Sequence, residues 1–344
     1  MTRAIALILL ASAARAAGWI ELAPVIAPRQ EVAVAAANGK LYLIGGLSGS
    51  SVLSSVEELD PTTGRWRFVA PIPQGVHHAA AATIGDSIYV IGGYPTIAFN
   101  AHAAVFRYDA LLDQWSSVAS LPKARSALAA ATIDGKIYAV GGVPGGTDLT
   151  VYDPATNEWT TLASMPTPRE HLAAAALHGA LYVIGGRFGS SGNTNAFERF
   201  DPISGTWTSL PSMPTARSGL AAAVLEDRVY VFGGEGNPAS VTGTFSADGI
   251  VRRCHVDVAK RAVNAAAAAR HRCRGDRQAH SHSRRRSDPG IQHDEHARCV
   301  LRRWIAETSG AVSGIYFLSF FGFFVSLRRE LLPLAMSSSF CRTS

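Results

Sequence analysis

The chain has 344 residues, enough for one large domain or two ordinary ones, and its formal net charge of +6 hides two unlike parts. Residues 1–245 carry 15 Lys/Arg against 18 Asp/Glu, a net of −3, whereas residues 246–344 carry 17 against 8, a net of +9. All four cysteines lie in the second part. This excludes disulfides and thiol chemistry from the first, and any charge argument for an anionic partner rests on the tail alone.

At the N-terminus, Arg3 supplies a short positive region, Ala4 to Leu10 an apolar core, and Ala14-Arg15-Ala16 a small-x-small cleavage site. The apolar run is too short to span a bilayer. Residues 1–16 therefore read as an export signal, with a periplasmic or extracellular destination. The alternative is the buried start of a domain, but the repeats that follow begin only at Trp19.

From Trp19 to about residue 245 one phrase recurs five times: GKLYLIGG (39–46), DSIYVIGG (86–93), GKIYAVGG (135–142), GALYVIGG (179–186) and DRVYVFGG (227–234). Its glycine pairs are Gly45-Gly46, Gly92-Gly93, Gly141-Gly142, Gly185-Gly186 and Gly233-Gly234. Four aspartates each stand six residues before a tryptophan: Asp60/Trp66, Asp109/Trp115, Asp153/Trp159 and Asp201/Trp207. From each of Trp19, Trp66, Trp115, Trp159 and Trp207 to the second glycine of the next pair the interval is always 27.

A strand of small residues, a turn such as Asn38-Gly39, and a Tyr/Ile/Val strand ending at Gly-Gly form the first half of each unit. A third strand ending at aspartate and a fourth opened by tryptophan complete a four-stranded antiparallel blade. Alanine forms strands poorly in isolation, so its recurrence marks the innermost strand, where neighbouring blades crowd the axis. A run of alanine-rich helices conflicts with glycine punctuation at every turn.

After residue 245 the fifth unit fails: no Tyr-Asp pair and no tryptophan arrive. If codons from Val251 onward are read one base later, with one base in three free, they are compatible with a further unit. Its Tyr-Asp pair falls at Val251-Arg252, its Trp at Val258, its Met-Pro at Asn264-Ala265 and its Gly-Gly at Arg284-Arg285. Residues 246–344 therefore read as a frameshifted tail. The shifted text would complete a fifth blade and supply three strands of a sixth, with GWIELAPV at the N-terminus as the missing fourth. As translated, that N-terminal strand is expected to lack a partner. Three rival readings of the tail have weaker support. A nucleic-acid arm lacks interleaved aromatics and helical period, and no nucleic-acid partner is expected. Zinc ligation by Cys273, His280, His282, His293, His296 and Cys299 lacks diagnostic spacing. Residues 311–327, between paired arginines, have the look of a marginal membrane or interfacial helix, a contact expected only if the tail is genuine.

The double glycine after an apolar strand, the Tyr-Asp-like pair and tryptophan at fixed spacing resemble the kelch repeat family over residues 19–240. Two departures stand out: EELDP lacks the aromatic before Asp60, and the second copy has GVHH where others have Pro-Arg or Ala-Arg. The resemblance implies an all-β fold, a kelch-type β-propeller ancestrally of six blades, of which about four and a half are encoded over residues 17–245.

Strand parity puts the connections from fourth to first strand, and the loops after each Gly-Gly, on one face. That face carries Arg29, Glu31, His77, His78, Arg125, Arg169, Glu170, His171, Arg187 and Arg217, expected to ring the channel mouth. Variable loops over a rigid scaffold usually carry binding, so this face is the candidate ligand site. Against this, any single arginine recurring once per blade reads better as a structural bond to backbone carbonyls between blades, while the ring as a whole reads equally either way. No catalytic set, metal-ligand spacing or cofactor motif is visible in 1–245. Some kelch propellers resemble galactose oxidase in using copper with a Cys–Tyr cross-link, which a cysteine-free propeller cannot build. The expected function is a binding or interaction module for a protein or carbohydrate ligand. One alternative is a sugar-acid isomerase resembling N-acetylneuraminate epimerase, and another is a non-functional frameshifted product.

Overall fold

In the computed structural model the described residues are 18–189, 192–225, 227–236, 300–308, 311–319 and 323–327. The export signal assigned to 1–16, and the Cys and His residues of 254–299, lie outside them. Every element among the described residues is a strand.

The first strand, β1 (Gly18–Glu21), leads into blade one: β2 (Ala33–Ala37), β3 (Lys40–Ile44), a small hairpin of β4 (Leu47–Ser48) and β5 (Ser51–Val52), then β6 (Val56–Asp60) and β7 (Arg65–Val69). Blade two is β8 (Ala80–Ile84), β9 (Ser87–Ile91), β10 (Val105–Asp109) and β11 (Gln114–Val118). Blade three is β12 (Ala129–Ile133), β13 (Lys136–Val140), β14 (Leu149–Asp153) and β15 (Glu158–Thr161). Blade four is β16 (Ala173–Leu177), β17 (Ala180–Ile184), β18 (Phe197–Asp201) and β19 (Thr206–Leu210). Each is a four-stranded antiparallel sheet in chain order, and blade five stops after β20 (Ser218–Leu225) and β21 (Arg228–Glu235).

The pattern follows from where each strand sits. The innermost strands alternate buried and half-buried positions, and their small side chains line the axial channel. The second strands are buried along nearly their whole length, because blades cover both faces of each sheet. The outermost strands are largely exposed, apart from their tryptophans. Each of these sends its indole N–H to a carbonyl of the preceding outer connection: Trp66 to Ala23 at 3.0 Å, and Trp115 to Ala70, Trp159 to Ala119 and Trp207 to Ala163 at 2.8 Å. The constant aspartate-to-tryptophan interval thus places one donor per blade on its neighbour.

The glycine pairs mark close approach rather than flexibility. Gly142 has φ 95°, and a side chain there would meet the Ser126 carbonyl at 2.6 Å and Leu128 Cβ at 2.9 Å. Second and third strands part at this point, and the preceding connection passes directly over it.

Two expectations for the chain ends are corrected. The N-terminal strand does have a partner: β1 pairs antiparallel with β22 (Val300–Thr308), which pairs with β23 (Ala311–Ser319), which pairs with β24 (Phe323–Leu327). Residues 311–327, whose rival reading is a marginal membrane or interfacial helix, supply two of these strands, and no helix among the described residues is long and apolar enough to cross a membrane. A short, nearly continuous run of aliphatic and aromatic residues suits a strand as well as an apolar helix, a choice that periodicity leaves open. β24 lies beside both β20 and β2, so the inner strands form a closed ring of six. The repeats contribute four and a half blades, as expected, and this further sheet fills the sixth position.

Candidate functional site

The arginines expected around the mouth point into the blades. Arg29 donates through Nη1 to the carbonyls of Gly45 at 3.1 Å and Ser55 at 2.9 Å, and through Nη2 to Glu57 at 2.6 Å. Arg125 reaches the Gly141 and Asp148 carbonyls at 3.1 Å and Thr150 Oγ1 at 2.6 Å. Arg169 reaches the Gly185 and Ala196 carbonyls at 3.0 and 2.9 Å and Glu198 at 2.5 Å. Arg217 donates to the Gly233 carbonyl at 2.7 Å and to Thr215 Oγ1 at 2.6 Å. The first three are buried, and burial pulls Arg125 down to about 10. Each one satisfies the carbonyls left open where its own blade's Gly-Gly parts second from third strand.

Blade two shows the same logic in apolar form. Val76 stands where the others have arginine, Phe106 stands where blades one and four have glutamate, and both join one hydrophobic cluster. The Gly92 carbonyl is met instead by His102 Nε2, at 2.9 Å.

Two residues after each of these positions the chain takes a left-handed conformation: Glu31 (φ 55°), His78 (55°), Ala127 (49°), His171 (50°) and Gly219 (55°). Four of the five carry a β-carbon, where such a φ is uncommon. A ring of backbone hydrogen bonds holds it. His78 N–H donates to Glu31 O at 3.1 Å, Ala127 to His78 at 2.8 Å, His171 to Ala127 at 2.9 Å and Gly219 to His171 at 2.9 Å. The turn aims these side chains at the axis, so Glu31, His78 and His171 converge although 47 and 93 residues separate them in sequence. Together with Glu235 they line a pocket floored by Leu128, Leu172 and Leu220.

The hydrogen bonds fix the histidine tautomers. His77 Nε2 faces the Thr96 carbonyl at 3.1 Å and so carries the proton. Its bare Nδ1 accepts from His78 Nδ1, 2.6 Å away, which leaves His78 Nε2 with a lone pair, 3.3 Å from Glu31 Oε2. His171 Nδ1 donates to Glu170, so its Nε2 also carries a lone pair. Arg187 Nη2 sits 3.4 Å from both ring nitrogens of His171, and at equal distances it does not lie along the Nε2 lone pair. Arg187 binds Glu170 through Nε at 2.7 Å and Glu235 through Nη1.

Burial holds both imidazoles neutral, with His78 and His171 each lowered to about 3; His77 and then Arg187 add to this at His78, Arg187 and then His78 at His171. Burial, then the nearby Glu235 carboxylate, pushes Glu31 up to about 7. His77 is fully buried, lowered by desolvation, and packed between Tyr94 and Phe99 with ring centroids 5.3 and 5.4 Å away.

Of the sequence candidates, the structure brings Glu31, His78, Glu170, His171 and Arg187 to the mouth, with His77 behind them, and turns Arg29, Arg125 and Arg169 inward. Sequence reasoning missed Glu235, which follows Gly234 just as Arg187 follows Gly186. It also missed the ring itself, whose Ala127 and Gly219 members bear no functional group. The signal available was register: every ring residue stands two after the Arg/Val position.

The Kelch motif family profile matches residues 28–73, 76–122, 124–166 and 168–214. Kelch-like protein 35 of Mus musculus is 39% identical over 75 residues, 22% of this chain and 13% of that protein. The F-box/kelch-repeat protein At5g26960 of Arabidopsis thaliana is 39% identical over 70 residues, 20% of this chain and 17% of that protein. This chain thus spans under a fifth of the length of either. The solved structure of YjhT superposes with TM-score 0.55 at 19% identity, covering 62% of this chain and 75% of that one, a likeness of fold. Four matched motifs on four successive blades, with the glycine pairs and tryptophans in the same places in each, make this chain a member of the kelch repeat family.

Proposed function

We propose that this kelch propeller is a binding module that receives a protein partner or carbohydrate on its channel-mouth face. The observation that carries this reading is the contrast between its two faces. On the far face four turns repeat one design, in which aspartate caps a backbone N–H two residues on: Asp60 to Thr62, Asp109 to Leu111, Asp153 to Ala155 and Asp201 to Ile203. On the mouth face the loops 45–55, 92–104, 141–148 and 185–196 differ in length and course. They expose Ile97, Phe99, Val143 and Phe188 around the polar pocket. An apolar rim about a polar centre is the arrangement that buries area on contact.

A sugar-acid isomerase draws support from Glu31, whose elevation to about 7 suits proton transfer near neutrality. Its acidic substrate, however, needs cations that Arg29, Arg125 and Arg169 commit elsewhere, and three carboxylates face the mouth beside Arg187. The binding reading therefore stands first.

Glycan arrays and displayed-peptide selection on the full chain test it. Binders are expected whose affinity falls at least about tenfold in Phe99→Asp or Phe188→Asp and is unchanged in Ile203→Asp on the far face. Sensitivity to Ile203→Asp alone, or no binder from either library, overturns the reading. Export belongs to the same proposal, and cell fractionation with N-terminal sequencing of the mature chain checks it.

A further inference from the structure

We propose that Glu31, His78 and His171 form a binding site for one divalent transition-metal ion, of the zinc or cobalt type, at the centre of the channel mouth. One ligand atom from each lies within 4.8 Å of the other two, so closure by up to about 1.5 Å reaches the spacing of three ligands on one ion.

Three features of the structure support a metal. First, His78 Nε2 and Glu31 Oε2 face one another at 3.3 Å with lone pairs on both sides, because His77 and Thr96 fix the tautomer. Two acceptors at that distance repel unless a proton on Glu31 or a cation lies between them, so a metal ion binds here by displacing that proton. Second, each ligand histidine has its other ring nitrogen held, His78 by His77 and His171 by Glu170, which is how ligating imidazoles are oriented and made more basic. Third, the charge is right: Glu31, Glu170 and Glu235 against Arg187 leave two negative charges when all three carboxylates are ionised, the complement of a divalent ion. Two imidazoles and a carboxylate select zinc or a neighbouring first-row ion over calcium or magnesium. The protein supplies three ligands and the pocket opens to solvent, which leaves a coordination position for an oxygen or nitrogen donor of an incoming ligand.

This site differs from a recurrent structural motif, because its residues occupy a ring position that is alanine in blade three and glycine in blade five. Sequence inspection finds no metal pattern because the ligands come from three separate blades, one residue each. The inference stands independently of the binding reading: a metal site with no partner, or a partner with no metal, is each a distinguishable result.

The test is cobalt(II) titration of the full, chelator-treated chain, followed by visible spectroscopy and equilibrium dialysis. One equivalent per chain is expected, with ligand-field bands and no thiolate charge-transfer band. His78→Asn, His171→Asn and the near-isosteric Glu31→Gln should each weaken binding at least about tenfold. His77→Phe, which keeps all three ligands but removes the partner that orients His78, should weaken it about 10- to 100-fold. In the unmodified chain, proton NMR with cobalt should show two exchangeable, hyperfine-shifted imidazole N–H signals, one from each Nδ1–H. Absence of binding, retention in the double variant His78→Asn/His171→Asn, or a thiolate band placing the ion on the tail cysteines overturns the proposal.

Discussion

Arg169 shows at the level of single residues why a recurrent charged side chain need not be a functional one. Its guanidinium and Glu198 are both buried and 2.5 Å apart, while its Nε has no hydrogen-bond partner. Removing one member of such a pair leaves an uncompensated buried charge. Arg169→Ala should therefore cost about 3–5 kcal/mol, read from urea or thermal melts. Blade two has already replaced the pair with Val76 and Phe106. Arg169→Val combined with Glu198→Phe should accordingly lose less stability than Arg169→Ala alone, and a double variant less stable than the single one would contradict that account. Arg29, Arg125 and Arg169 turn into the blades rather than toward the mouth for this reason. Spacing places an arginine at the base of four of the five repeat inner strands, but the direction of its side chain depends on whether Gly-Gly has left carbonyls to satisfy.

The turn between third and fourth strands links one blade to the next. Its last residue is left-handed in every complete blade: Gly64, Asp113, Asn157 and Gly205, with φ between 53° and 70°. Where a side chain is present it reaches the preceding blade. Asn157 Oδ1 accepts from Ala119 N–H at 2.9 Å and from the Tyr152 hydroxyl at 2.8 Å. Asp113 does the same for Ala70 and Tyr108, at 2.8 and 2.7 Å. Asn157→Gly keeps the backbone and loses those bonds, at a cost of about 1 kcal/mol. Asn157→Ala loses them and also leaves in the left-handed region a residue that tolerates it less well than asparagine or glycine, for about 2 kcal/mol in total. Equal melting temperatures for the two variants would refute the backbone contribution. At this scale the sequence was most legible. Aspartate, tryptophan and Gly-Gly intervals fixed strand order and blade boundaries, because each interval is the length of a defined strand and turn. The mouth was half legible. Its loops followed from strand parity, whereas the convergence of Glu31, His78 and His171 rests on a backbone conformation that no side-chain pattern announces, since alanine adopts it at Ala127 as glycine does at Gly219.

The sixth sheet decides how the molecule closes. Blades one to four run from the axis outward, while the tail strands run inward, from β22 beside β1 to β24 beside β2 and β20. Strand directions still alternate, so β24 can stand where an innermost strand belongs. Without this sheet the inner strands of blades one and five lose their neighbour. Truncation after residue 245 should therefore lower the melting temperature, by roughly 2–4 °C for each kcal/mol of lost packing. The reversed order, and the lack of an aspartate six residues before its Trp304, set this sheet apart from the repeats, and codons read out of step would account for both. Sequencing the locus should then find a single inserted or deleted base near codons 243–250. Restoring the frame should yield a chain that melts higher than the one described here. Its fifth and sixth blades would regain Gly-Gly and an indole donor to the neighbouring connection, the two features that join blades one to four. An uninterrupted frame, or a repaired chain no more stable than the original, would make the inward-running sheet the native closure of this propeller.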